Sequence, residues 1–181
     1  MSFVARVAIL LFPIVVFMAG AHILRSSRSK TQISRTGKKP PWWKRLPLNQ
    51  RLYGYGVKAV REYWGALAKD GKLGEEEKAL RKDLFFPPFY GGALLVSSFL
   101  AWIQWLAAPP GAPDWLVFAF PIAAILSDWT ENLIQLRELA LFQREGRLEH
   151  GLIHVASLAT SLKLISIFGS LWMIWRLLFG F

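Results

Sequence analysis

The chain has 181 residues, no cysteine, 54% hydrophobic residues, a mean hydropathy of +0.32 and a formal net charge of +10. Lack of cysteine excludes disulfides, thiolate metal sites and cysteine nucleophiles. So high an apolar content, with 14% aromatics, argues against an ordinary water-soluble domain and for long apolar runs. The charge is not spread evenly. Residues 25–84 hold sixteen of the 22 Lys/Arg and six of the 12 Asp/Glu, so the whole excess of positive charge sits there.

The first predicted element is the apolar run Phe3–Leu24, long enough to span a hydrocarbon core that needs about 20 residues. Arg6 and the Ala19-Gly20-Ala21 triplet also fit a cleaved export signal. Arg25, Arg28, Lys30, Arg35, Lys38 and Lys39 follow at once, and basic residues beside a span stay on the cytoplasmic face. The run is therefore read as an uncleaved anchor with its N-terminus outside. Residues 25–84 are then cytoplasmic, and 19 of the 22 Lys/Arg lie inside.

Residues 25–48 combine Ser, Pro and like charges, which cannot bury enough apolar surface to order on their own. Asn49 is a suitable cap for a helix over about 49–69. Tyr53, Val57, Val60, Trp64 and Leu67 recur at helical spacing and make one apolar face. Such a helix packs on the inner ends of the spans or lies in the membrane interface. The expected contacts to anionic lipid are Lys38, Lys39, Trp42, Trp43, Lys44, Arg45, Lys58 and Arg61. The positive-inside pattern already accounts for the basic segment, so no nucleic-acid partner is expected. Gly74-Glu75-Glu76-Glu77 starts a short helix leading into the second span.

The second span is Leu84–Ala108. A Pro/Gly turn, APPGAPD, joins it to the third, Trp115–Leu136, and the fourth is Leu152–Phe179. Trp102, Trp105, Trp115, Trp172 and Trp175 fall near outer ends, where indoles prefer to sit. The third span ends in SDWTENLIQL. At ~100° per residue, Asp128, Glu131, Asn132, Gln135 and Glu138 share about 120° of arc, while Trp129 and Leu133 point elsewhere. Span four carries a second polar row at 4, 3, 4 spacing: His150, His154, Ser157 and Ser161. His150 falls in the connecting loop. Lys163 lies deep in the same span but on a different side of the helix from that row. Ionisable groups in a membrane face a protein interior or a water-filled cavity, so the two rows are expected to line a cleft opening to the cytoplasm.

Several chemistries fit such a cleft. Buried carboxylates can bind and release protons or cations. Asp128 or Glu131 could serve as general base, with His154 as acid or base and Asn132 orienting an anionic lipid headgroup. Haem or metal ligation by His22, His150 or His154 with Glu131 is disfavoured, because His150 and His154 share one helix face; no cofactor or metal is expected. The alternative to all of these is a brace, since polar side chains also hold membrane helices together. There is no GxxxxGK[ST], HExxH or GxSxG motif, so whether the protein is an enzyme stays open.

The sequence thus predicts an all-α integral membrane protein with four transmembrane helices and an amphipathic cytoplasmic interfacial helix. The expected setting is a bacterial-type cytoplasmic membrane, with both termini outside. The expected role is a scaffold or accessory subunit, partnered by anionic lipid and by other membrane subunits or further copies of itself. An enzyme acting on a lipid headgroup and a proton- or cation-coupled transporter are the alternatives.

Overall fold

The computed structural model describes residues 1–28, 54–106 and 116–180. They form six helices: α1 (Phe3–Arg28), α2 (Val57–Lys69), α3 (Leu73–Asp83), α4 (Phe86–Leu106), α5 (Leu116–Glu145) and α6 (His150–Phe179). Among the described residues there is no strand. Four stretches are long and apolar enough to cross a membrane: Phe3–His22, Leu73–Gln104, Leu116–Glu145 and His150–Phe179.

The chain divides into two compact units. The first comprises Met1–His22, Phe86–Ser127 and Leu162–Phe181. Its core joins Tyr90, Leu94 and Ala101 of α4 to Ala124 of α5 and to Ile174 and Leu178 of α6, with Ile9, Leu10 and Phe17 of α1 against it. Glycines set how closely these helices approach. A Cβ on Gly91 would lie 2.1 Å from Cγ1 of Ile125, and one on Gly169 would lie 2.7 Å from the Phe120 ring. Gly20 likewise makes room for the Phe86 ring, which also stacks obliquely on Phe17. Small residues at such crossings let backbones come together where a larger side chain would hold them apart. At the end of α6 the Arg6 guanidinium donates to the Leu178 carbonyl at 2.8 Å, satisfying a terminal acceptor with a cation suited to that end of the dipole.

The second unit draws its described residues from Ile23–Phe85 and Asp128–Ser161. Here α2 buries Val60, Tyr63, Trp64 and Leu67, while Lys58, Arg61 and Glu62 are exposed. The helix starts at Val57 rather than near Asn49, which lies outside the described residues along with Tyr53. Gly54 has φ +72° and Gly56 is extended, so residues 54–56 approach as a strap and not as a first helical turn. The α2 face packs with Leu80 of α3, Leu139 of α5, and Leu148, Ile153 and Ala156 beyond, and Trp64 meets Phe142 at 5.9 Å between ring centroids. Gly71, with φ +68°, ends α2. Its N–H donates to Ala68 O, and Lys72 N–H donates to Leu67 O at 2.8 Å, the paired bonds of a Schellman stop. Tyr63 then ties α2 to α3 by donating to Glu76 at 3.2 Å.

Two further boundaries have an identifiable physical cause. α5 continues nine residues past Leu136, because Arg137 is compatible with a helix and Glu138, Leu139 and Phe142 still have partners to pack on or bond. It stops at Gly146, whose φ of +65° and N–H bond to Phe142 O make a left-handed cap. Between α3 and α4, Pro88 has no N–H to give the Leu84 carbonyl four residues back. The Trp129 indole N–H fills that vacancy at 2.9 Å.

Replacing Gly91 by Ala should force Ile125 off its position and destabilise the fold by about 1–3 kcal/mol, the usual cost of overpacking. Thermal unfolding in detergent, compared with the unaltered protein, measures it.

Candidate functional site

The polar row of α5 is buried in the second unit. Asp128 is 5% exposed, Glu131 0%, Asn132 1%, Gln135 1% and Glu138 0%, whereas Trp129 and Leu133 face outward at 36% and 56%. Helical periodicity puts the five on one face. The row is bonded along its length. Asn132 Nδ2 donates to Asp128 Oδ1 at 3.2 Å, and Gln135 Nε2 donates to Glu131 Oε1 at 3.0 Å, both across one turn.

Above Glu131 and Gln135, where the sequence reading expects a cleft, the described residues place a side chain. The position is filled by Tyr55. Its phenol oxygen accepts from Gln135 Nε2 at 2.6 Å and its hydroxyl faces Glu131 Oε1 at 3.5 Å. Its backbone N–H donates to Ser157 Oγ at 2.9 Å. Gly54 is required beside it twice over: by its positive φ, and because a Cβ there would come 2.3 Å from Ser157 Oγ. Burial, and next the charge of Glu131, push the Tyr55 phenol well above its ordinary 10.0. Tyr55 was not among the residues singled out in the sequence. The available signal was an aromatic set between two glycines just before a helix; alone it reads only as a weak helix start.

On α6 the expected row is out of phase. His150 and His154 are exposed, and Ser157 and Ser161 are half-buried. The buried face instead runs Ile153, Ala156 and Thr160 in the second unit, and Lys163, Ser166 and Ser170 in the first. It is displaced from the histidine row by one residue, about 100°. Burying Ile153 and Ala156 sets the rotation, and serines serve equally well on either side. Hence His154 does not join the α5 carboxylates, Thr160 lies at the Tyr55 phenol, and Lys163 is buried.

Glu138 has a separate task. Its Oε2 accepts the Glu149 N–H at 2.7 Å at the start of α6, placing a carboxylate on the positive end of that helix. Arg137 bridges the turn, reaching Glu149 at 2.8 Å and Glu138 at 3.5 Å. Among the described residues no group of three or more His, Asp or Glu could hold a metal ion. Of the expected lipid contacts, Lys58 and Arg61 stand on the exposed face of α2; Lys38, Lys39, Trp42, Trp43, Lys44 and Arg45 lie outside the described residues. No protein-family model, curated protein or solved structure matches this chain.

Tyr55→Phe should cost about 1–2 kcal/mol, because Gln135 loses a buried acceptor. The same site sets an alkaline limit. An unfolded chain ionises the phenol from pH 10.0 upward while the folded site holds it protonated, so stability is intact below that pH and falls above it. Unfolding followed against pH should show this alkaline loss in the unaltered protein and a smaller one in Tyr55→Phe.

Proposed function

We propose that the protein is a multi-pass scaffold or accessory subunit of a bacterial-type cytoplasmic membrane, with both termini outside and residues 25–84 inside. Three observations support the setting. Four stretches have the length and apolarity of spans. Their outer faces carry large exposed apolar side chains, including Phe3, Val4, Val15 and Met18 on α1 and Leu158, Ile165, Phe168 and Trp172 on α6, surface that water disfavours and lipid accepts. The Lys/Arg excess falls between the first and second spans.

One observation carries the role. On the buried α5 face Asn132 Nδ2 donates to Asp128 and Gln135 Nε2 to Glu131, and Tyr55 stands over Glu131 and Gln135; the Asn132 Oδ1 has no hydrogen-bond partner among the described residues. That is the arrangement of a brace, in which polar side chains hold helices together, and not of carboxylates open to a substrate. The apolar face of α2 is likewise spent on α3, α5 and α6 residues. Its contribution to membrane contact is therefore electrostatic, through Lys58 and Arg61 toward anionic headgroups.

A brace tolerates Glu131→Gln, which keeps an acceptor for Gln135, with a change of about 1 kcal/mol or less. Glu131→Leu removes that acceptor and should cost about 1–3 kcal/mol. Both are read by thermal unfolding, together with recovery of co-purifying membrane subunits from mild detergent. Loss of a cellular phenotype in Glu131→Gln with fold and subunit recovery intact would make Glu131 a reacting group and defeat the brace. The orientation has its own test, helped by the cysteine-free background. Gly74→Cys, at a position with open space around it, should be shielded from an impermeant maleimide in whole cells and labelled in inverted vesicles.

A further inference from the structure

α3 has one face turned inward and one outward. Glu76, Ala79, Leu80 and Asp83 are buried, so Lys78, Lys82 and Phe85, at spacings of 4 and 3, stand on the opposite side. The helical course holds through this row: Leu84 keeps helical backbone angles, and Phe85 N–H donates to Lys82 O at 3.1 Å. Both lysines are exposed and make no hydrogen bond or ion pair among the described residues. Arg81 beside them is different, closed by Glu77 at 2.9 Å. Phe85 is 72% exposed, a large ring that water disfavours.

The place of this row in the chain gives its surroundings. The acids Glu75 and Glu76 lie in the first turn of α3, and Arg81 and Lys82 lie in its last. The apolar helix α4 begins at Phe86, about 6 Å along a helical path from Lys82, a distance that a lysine side chain covers. Trp129 marks the same level, since its indole N–H is on the Leu84 carbonyl and its ring is 36% exposed. Indoles gather where hydrocarbon meets headgroups, and lysines reach from there to the phosphates. We infer that Lys78, Lys82 and Phe85 form a binding site for an anionic phospholipid of the cytoplasmic leaflet, with the two ammonium groups on its headgroup and the ring among its upper methylenes. The charge is complementary, and the lipid covers the ring as well. An acidic peptide segment would meet the lysines and leave Phe85 in water. The site rests on the membrane reading above and adds to it a position and a lipid class.

The test places a photoreactive benzoylphenylalanine at position 85 of the full-length protein, in nanodiscs with equal mole fractions of phosphatidylglycerol and phosphatidylcholine. Adducts on the peptide carrying that residue are identified by mass spectrometry. Phosphatidylglycerol adducts should exceed phosphatidylcholine adducts about tenfold, and each lysine replaced by Gln should lower the ratio about fivefold. Lys78→Arg with Lys82→Arg keeps the charge and should keep the ratio. Lys69→Gln, which removes an exposed cation at the end of α2, should leave it unchanged. The lysine variants alter only exposed side chains without bonds, and thermal unfolding checks that they fold. A ratio near one, a ratio that the Gln variants do not move, or adducts to protein in place of lipid would each overturn the site. Lipid adducts without preference refute the site and leave the membrane setting standing. Absence of any lipid adduct refutes the site as well, and the Gly74→Cys labelling then tells whether the membrane setting falls with it.

Discussion

A carboxylate with no access to solvent must find hydrogen-bond donors or lose several kcal/mol, and Glu131 is such a group. One donor comes from its own helix, since Gln135 lies one turn on. Gln135 then turns its amide to the Tyr55 oxygen as well, at 2.6 Å. That requirement draws residues 54–56 onto α5 and α6, and the path of the chain follows from it. The backbone passes so near Ser157 that only glycine fits at position 54. α2 can begin only after the strap has turned, at Val57, and its apolar face is thereby set against Leu139 and Ile153.

The same economy recurs at helix ends. Where a helix terminus or a proline leaves a backbone group without a partner, a side chain distant in sequence supplies one. Arg6 serves the last turn of α6, Trp129 serves the carbonyl that Pro88 cannot reach, and Glu138 serves the first turn of α6. Each is a local rule of helix geometry answered by tertiary contact. The pairing is incomplete at several buried positions, the Trp102 indole N–H, the Ser97 and Ser98 hydroxyls and Asn132 Oδ1 among them. The Trp64 indole N–H has no hydrogen-bond partner among the described residues, so that side chain is held by apolar burial and by the Phe142 ring.

Where sequence reasoning and structure part, the cause is a competing term of similar size. The α6 row of His150, His154, Ser157 and Ser161 has good helical spacing, but a neighbouring row one residue away has it too. Serine and threonine are indifferent to the choice. Ile153 and Ala156 are not, and their burial against α2 residues exposes the histidines. For α5, the first charge after an apolar run marks the end of a hydrophobic stretch and not the end of a helix, so the helix ran on to Gly146.

The four apolar stretches, the position of the charge excess and the common face of Asp128, Glu131, Asn132, Gln135 and Glu138 could all be read from the chain alone. Each depends only on a residue's own polarity and on a repeat of 3.6 per turn. What those residues bond to could not. Tyr55 lies 76 residues from Glu131 and 80 from Gln135, and no local periodicity connects them. What stands over Glu131 and Gln135 was decided by that long-range contact, which sets a phenol against both side chains.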